Sequence, residues 1–518
     1  MAATAVVTGG GTRVVTRVLR EAAKAYPERL AIVFEDRGYT YSEIWSRGRR
    51  AARVLREAGV QQGDAVLLME ENTVAFIDAW FGIALIGAIQ VPVNTEYRGE
   101  MLRHQVKSSS ARVMIIESKF VERLEALGSD RGSLERLLLI EGGAQTRLAS
   151  SSWEAAFEAA GELPEEVLPE LQEQDIVAIM YTSGTTGPSK GVRVAQAHAY
   201  TYASLAAQLL DLVAGDVYYA PLPLFHIAGQ WALVYASLQV GATAVVRRRF
   251  SATEFWSVVR ETGATASFLL GAMANFLARQ EPRPDDRDNP LDRIMLVPLV
   301  ADLDDFAHRF GVRISTCYGS TEVSVPLATT FGVTDPTVAG KPVPGFQVRL
   351  VDEHDREVPV GSVGELVVRT DEPWLVATGY HANPEATAHA FRNLWLHSGD
   401  AFRRDADGNY YFVDRIKDYI RRRGENISSF EVEREVNTFP AVLESAAVAV
   451  PSPNTEDDLK VVVVPKAGMT VDPGELREYL RSRVPRFMVP DLVEVLEELP
   501  KTPTGKIQKH LLRTPRSS

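Results

Sequence analysis

Tyr181–Gly191 reads YTSGTTGPSKG and follows the apolar run Ile176–Met180. Serine and threonine hydroxyls stand beside its glycines, and Lys190 comes near its end. Such a segment offers backbone N–H groups, hydroxyls and one ammonium to a polyphosphate. Its glycines let the backbone approach the oxygens closely. It is not a Walker loop. Counted from Gly184, that pattern asks for glycine at 189, where the chain has Ser189. By composition alone, a Ser/Gly-rich surface turn is the equal alternative. The same holds for other polar residues taken singly. Glu322 reads as a surface carboxylate, Ser398–Asp400 as an ordinary turn or helix cap, Arg415 as a surface salt bridge and Lys506 as a surface lysine.

The elements around these residues alternate in character. Tyr41–Gly59 has apolar residues at helical spacing and stops at Gly59. Ala65–Met69, Ala88–Val93, Val113–Glu117 and Leu137–Glu141 read as short buried strands, with a helix over Thr73–Gly87. Thr243–Val246, Thr265–Leu269 and Arg313–Cys317 continue the series. Short apolar strands between helices predict parallel sheets covered on both faces. After about Ala339 the texture changes. Phe346–Val351 and Gly364–Arg369 alternate apolar and polar residues, which predicts antiparallel strands. Asp405–Gly408 reads as a turn and Asp285–Asp288 as an exposed loop. The last hundred residues read as α+β: helix Phe430–Thr438, strands Glu444–Val450 and Leu459–Pro465, helix Pro473–Arg483, strand Leu492–Val495. A boundary near Asp414–Asp418 divides residues 1–414 from 415–518.

The chain has 518 residues, 45% hydrophobic and 24% charged, with a formal charge of −12. That mix belongs to a globular protein of several domains and excludes disordered, collagen-like and coiled-coil classes. The acidic balance argues against nucleic acid as partner, while leaving room for anionic ligands in a local basic cleft. The one cysteine, Cys317, forms no internal disulfide and rules out a Cys-rich zinc module. A reducing, cytoplasmic setting is expected. The N-terminus lacks a basic region and carries Gly9–Gly11, so no signal peptide is expected. Val217–Val246 has no Asp, Glu, Lys or Arg, yet Pro221, Pro223, His226, Gly229, Gln230, Gln239 and Gly241 punctuate it. A buried strand, loop and helix is expected there rather than a membrane span.

The order of residues in Tyr181–Gly191 resembles the phosphate-binding loop of the adenylate-forming superfamily, which holds acyl-coenzyme A synthetases, luciferases and the adenylation domains of peptide synthetases. A series of segments carries the resemblance, in that family's order and spacing. Pro223–Gln230, PLFHIAGQ, is similar to its segment with a substrate-side histidine. Tyr318–Glu322, YGSTE, resembles its Tyr-Gly-x-Thr-Glu motif, and Ser398–Asp400, SGD, its Thr-Gly-Asp. Asp414–Glu433, DRIKDYIRRRGENISSFEVE, resembles its hinge and the start of its C-terminal domain. Pro485–Pro490 resembles a further C-terminal signature, and Pro500–Lys506, PKTPTGK, the terminal lysine loop. The likeness spans roughly residues 20–510 and is strongest to a stand-alone acyl-CoA ligase.

The resemblance implies a large α/β N-terminal domain, with parallel sheets and a β-barrel-like part, and a small mobile α+β C-terminal domain. It implies joining of an acid to ATP, with release of pyrophosphate, and transfer of the acyl group from AMP to a nucleophile. Thr182, Ser183, Gly184, Thr185, Thr186 and Lys190 would hold the β- and γ-phosphates. Thr321 would donate to the α-phosphate and Glu322 would hold Mg²⁺. Tyr318 would stack on adenine, Asp400 would accept from both ribose hydroxyls, and Arg415 would reach the ribose or phosphate region. His226 would face the acid. Lys506 would bridge the acid oxygen and the α-phosphate. Lys417 would be the hinge, and Gly424 the loop entering the site for the second step, where Arg421–Arg423 would meet the coenzyme A phosphates or form a solvated charged strand.

Two departures from the pattern bear on the substrate. Ala195 and Gln196 stand where many members have a Ser/Thr-His pair, and His198 inherits no role from it. Met295–Leu299, MLVPL, is bulky where the family segment is Gly/Ala-rich. The expected substrate is a small or aromatic carboxylic acid, with the coenzyme A thiol as acceptor. Within the fold, an amide-forming ligase, or activation of nitrite for attack by an aryl amine, is the alternative. No carrier domain is expected after Lys509. A non-catalytic nucleotide-binding homologue would have lost Lys190, Glu322, Asp400 or Lys506, and all four are present.

Overall fold

The computed structural model describes residues 13–182, 189–416, 420–422, 425–451, 457–481, 483–502 and 507–513. By internal contacts the chain divides into two compact units, Met1–Gln347 with Val368–Leu396, and Val348–Val367 with His397–Ser518.

The first unit is built on two seven-stranded sheets. One runs Ala149–Ser152, Arg136–Ile140, Val113–Glu117, Ala65–Met69, Ile89–Pro92, Ile176–Thr182, Lys190–Ala195. The other runs Arg313–Ser315, Arg293–Val297, Ala266–Leu270, Val217–Tyr219, Thr243–Val246, Leu30–Phe34, Arg37–Thr40. Both are parallel except for a terminal antiparallel pair, Ile176–Thr182 with Lys190–Ala195 and Leu30–Phe34 with Arg37–Thr40. The apolar strands read from the sequence are these strands, buried because parallel sheets hide both faces. Helix Val74–Leu85 is apolar on all sides. Phe76, Ile77, Trp80 and Phe81 are each at most 1% exposed, so it runs through the core rather than over it. Thr73 caps it by accepting from the Phe76 N–H, and helix Tyr41–Glu57 starts on a Thr40–Glu43 capping box.

Val217–Val246 is strand Val217–Tyr219, a π-type helix Ala228–Tyr235, helix Ala236–Val240 and strand Thr243–Val246. No described helix is long and apolar enough to cross a membrane. Two expectations need correction. Arg313–Cys317 is not one strand. Arg313–Ser315 ends the second parallel sheet, and Cys317–Ser320 begins an antiparallel ladder with Ser324–Ala328 and Val338–Pro342. Thr316 makes the break. Its hydroxyl donates to the Leu296 carbonyl while its backbone N–H donates to Thr329 Oγ1, so the chain changes partners there. Asp285–Asp288 is not wholly exposed either. Asp286 is buried and accepts from Arg309 Nε at 2.6 Å.

In the second unit, Leu396–Arg404 pairs antiparallel with Tyr410–Arg415, joined through the Asp405–Gly408 turn. A small α+β body follows. Its sheet runs Val442–Pro451, Asp457–Pro465, Leu492–Val495, with helices Ser429–Val436 and Pro473–Arg481 and the short hairpin Ile420–Arg422, Glu425–Ile427. Val432, Val436, Val461, Val463, Leu476 and Leu480 form its core.

Candidate active site

In the first unit, the site begins where a hairpin opens. Ile176–Thr182 and Lys190–Ala195 pair with Thr182 opposite Lys190, so a threonine hydroxyl and a lysine ammonium flank the mouth of the YTSGTTGPSKG loop. Ser183, Gly184, Thr185 and Thr186 lie outside the described residues. The loop's near ends are tied down. Tyr181 shares a hydrogen bond with Ser108 at 2.5 Å, and His104 Nε2 lies 2.7 Å from the Ser189 carbonyl.

A second hairpin brings the acid. Strands Cys317–Ser320 and Ser324–Ala328 leave Thr321–Val323 as their turn. Ser320 Oγ accepts from the Glu322 and Val323 N–H groups at 3.2 and 3.3 Å, which fixes the turn. Gly319 is required by close approach, since a Cβ there would stand 2.4 Å from the Ser324 carbonyl oxygen. Thr321 is buried, and Glu322 and Tyr318 are half-buried. Tyr318 is therefore not a closed core aromatic.

The two hairpins meet through Tyr380, a residue the sequence did not single out. Its segment lies along the edge of Lys190–Ala195, with the His381 N–H donating to the Gly191 carbonyl at 2.7 Å and Arg193 to Gly379 at 2.9 Å. Tyr380 OH donates to Glu322 Oε1 at 3.2 Å, and Thr182 Oγ1 donates to the same oxygen at 3.3 Å. The Lys190 ammonium sits 4.8 Å from the Tyr380 ring centre. Burial and the Glu322 carboxylate hold the Tyr380 phenol above its ordinary range, so it stays a donor. Nothing in the local sequence marks this tyrosine, because its importance comes from a partner in another hairpin.

Glu322 is a single carboxylate beside hydroxyls and an ammonium, and no group of three or more His, Cys, Asp or Glu exists among the described residues. That donor set suits a cation that takes most of its ligands from phosphate and water, as Mg²⁺ does.

On the acid side, His226 opens the π-type helix. Its Nδ1 accepts from the Ala228 N–H at 3.3 Å. Asn72 holds the segment before it: its amide nitrogen donates to the Leu222 and Arg247 carbonyls at 2.9 and 3.0 Å, and its oxygen accepts from the Leu224 N–H at 2.7 Å. Asn72 was also invisible in the sequence. His198 is fully buried beside Trp231, and burial pushes its imidazole down to about 3, so it is neutral. In the glycine-free segment, Leu296 faces the core, while Met295 turns the other way and meets Cys317 Sγ at 3.8 Å. Burial pushes that thiol up to about 12, so it is no nucleophile.

In the second unit, Asp400 and Arg415 are register partners on neighbouring strands, with Arg415 Nε 3.7 Å from Asp400 Oδ1. Gly399 has φ +75° and its N–H donates to Glu365 Oε1 at 3.0 Å, which sets the SGD turn. Lys417, Gly424 and Lys506 lie outside the described residues.

Comparison with known proteins places this geometry. Residues 19–381 match the AMP-binding enzyme family, and residues 431–506 match the AMP-binding enzyme C-terminal domain. The chain is 30% identical over 506 residues to a crotonobetaine/carnitine–CoA ligase of Salmonella agona, covering 95% of this chain and 97% of that one. It is similar in structure to a benzoate CoA ligase from Burkholderia xenovorans, with TM-score 0.85, 26% identity and 97% and 100% coverage. It shares the fold of an anthranilate CoA ligase solved with anthranoyl-AMP, with TM-score 0.88, 24% identity and 99% and 98% coverage. With a serine- and threonine-rich hairpin loop, a turn-borne glutamate and a full-length match to both family domains, this chain belongs to the AMP-binding enzyme family, as an ATP-dependent, AMP-forming ligase.

Proposed function

We propose that the protein joins a small or aromatic carboxylic acid to coenzyme A in two steps. In the first, an acid oxygen attacks the α-phosphorus of ATP, pyrophosphate leaves and an acyl adenylate forms. In the second, the coenzyme A thiol attacks the acyl carbon, AMP leaves and the thiol proton passes to solvent. The observation that carries this reading is the convergence of Thr182, Lys190 and Glu322 around Tyr380 at the mouth of the loop.

The first step sets a negative oxygen against a negative phosphate, so charge must be neutralised by groups already in place. Lys190 and the hydroxyls of Thr182, Ser183, Thr185 and Thr186 take the β- and γ-phosphates, and Gly184 lets the backbone approach. Thr321 donates to the α-phosphate. Glu322 would hold Mg²⁺, whose contribution when bound is positive charge at the phosphate oxygens. Tyr318 stacks on adenine. Asp400 takes the ribose hydroxyls, oriented by Arg415 on the neighbouring strand. Lys506 bridges the acid oxygen and the α-phosphate, and His226 faces the acid. We keep the division at 414/415 as the functional boundary, with Lys417 as its hinge and the Gly424 loop entering for the second step.

Met295 supports a small or flat acid, because it fills space beside Cys317–Tyr318 that a glycine would leave open. Pyrophosphate release over a panel of crotonate, benzoate, anthranilate, malonate and nitrite, with and without coenzyme A, tests the reading. A thioester seen by mass spectrometry with one of the carboxylates is the expected outcome. Pyrophosphate release with nitrite alone and no thioester would overturn it.

A further inference from the structure

The segment that carries Lys506 is held by its described ends in an unusual way. Lys501 and Ile507 bridge antiparallel, and the Gln508 N–H donates to the Pro500 carbonyl at 2.8 Å, so residues 500–508 form a closed stem. Three lysines fasten this stem and the chain after it. Lys501 pairs with Glu444 at 2.5 Å. Lys460, 4% exposed, reaches Glu494 at 2.6 Å and the Leu512 carbonyl at 3.1 Å. Lys509 reaches Glu433 at 2.8 Å and also donates to Ser429 Oγ.

The Lys509 contact differs from the other two in what it touches. Glu433 and Ser429 belong to helix Ser429–Val436, not to the sheet. The Ser429 N–H donates to Asp414 Oδ2 at 2.6 Å, and Asp414 Oδ1 accepts from the Arg415 N–H at 2.7 Å. Ser428 Oγ donates to the Val413 carbonyl at 2.6 Å. One ammonium thus joins the lysine stem to the strand end Val413–Arg415, just before Lys417. It also stands against two carboxylates, Glu433 and nearby Asp414. Without it, Glu433 would be left inside the fold facing a like charge.

We propose that Lys509, through Glu433, is a positioning residue for adenylation, which sets the lysine stem in register with the Asp414–Arg415 strand end. The proposal rests on the assignment of Lys506 to the first half-reaction. It predicts a selective defect. A stem displaced by about 1 Å can cost on the order of 10²-fold in a step that depends on one bridging charge. The second step, which does not use that charge, is spared.

The test uses the full chain with benzoate or crotonate, whichever turns over faster, and the matching synthetic adenylate. Lys509→Met should lower pyrophosphate release at least tenfold and leave thioester formation from preformed adenylate within twofold. Lys509→Arg should restore the first step. Glu433→Gln in the Lys509→Met background should recover part of it by removing the stranded charge. Retained transfer in each variant serves as the folding check. Equal loss of both steps in Lys509→Met and in Glu433→Gln would overturn the proposal in favour of a purely structural pair. Lys506→Ala separates the two readings. If it loses adenylation while Lys509→Met does not, the positioning role falls alone. If Lys506→Ala adenylates normally, the Lys506 assignment falls and takes the proposal with it.

Discussion

A single oxygen, Glu322 Oε1, accepts from both Thr182 and Tyr380, and Lys190 lies over the Tyr380 ring. The two donors aim the carboxylate. Glu322→Gln should therefore lower adenylation by about 10²–10³-fold and raise the Mg²⁺ requirement. Tyr380→Phe removes one donor to a charged acceptor and should cost about tenfold. Adding Tyr380→Phe to Glu322→Gln should cost little more, since the shared partner is gone. Pyrophosphate release across a Mg²⁺ titration reads all three, and additive losses would disprove the coupling. His198 bears on stability instead. Its folded value, about 3, lies below the ordinary 6.5. Between those values the unfolded chain binds the extra proton. Stability from this group is therefore complete above about pH 6.5 and falls by about 1.4 kcal/mol per unit as pH drops below it. His198→Leu should flatten the fall of the urea midpoint between pH 6.5 and 5. An unchanged slope would show that the imidazole titrates normally.

At the scale of elements, each site residue sits where a strand ends or turns. Lys190 begins a strand, Glu322 lies in a hairpin turn, and Asp400 follows a left-handed glycine. Ladders fix the strands on either side, so a turn residue inherits their precision. The Cys317–Ala328 hairpin depends on Gly319. Gly319→Ala would put a methyl 2.4 Å from the Ser324 carbonyl oxygen. The overpacking should cost roughly 1–3 kcal/mol in urea denaturation and reduce adenylation along with stability. Full stability with normal adenylation would show that the hairpin yields easily. The YGSTE pattern was plain in the sequence, whereas this close approach was not, because its other half is the carbonyl of Ser324.

For the whole molecule, two half-reactions ask for two arrangements of the C-terminal body, with Lys417 as the turning point. Lys417→Pro fixes φ there and removes a backbone donor. Adenylate should still form, and transfer to coenzyme A should fail. Equal losses in both steps, with the fold intact, would argue against a hinge at 417. The sequence by itself determined the family and the parallel sheets. Those are written in local patterns: apolar runs of strand length, and short motifs whose residues act as neighbours in the chain. It also marked Lys190, Glu322 and Asp400, because each sits inside such a motif. Tertiary structure decided what depends on partners far apart. Tyr380 meets Glu322 across separate hairpins, and Asn72 holds the segment ahead of His226. Thr316 switches sheets because its partners are Leu296 and Thr329. Lys509 finds Glu433 only once the terminal stem packs on its helix. A hydrogen bond between distant residues leaves no periodicity in the chain, so folding alone reveals it.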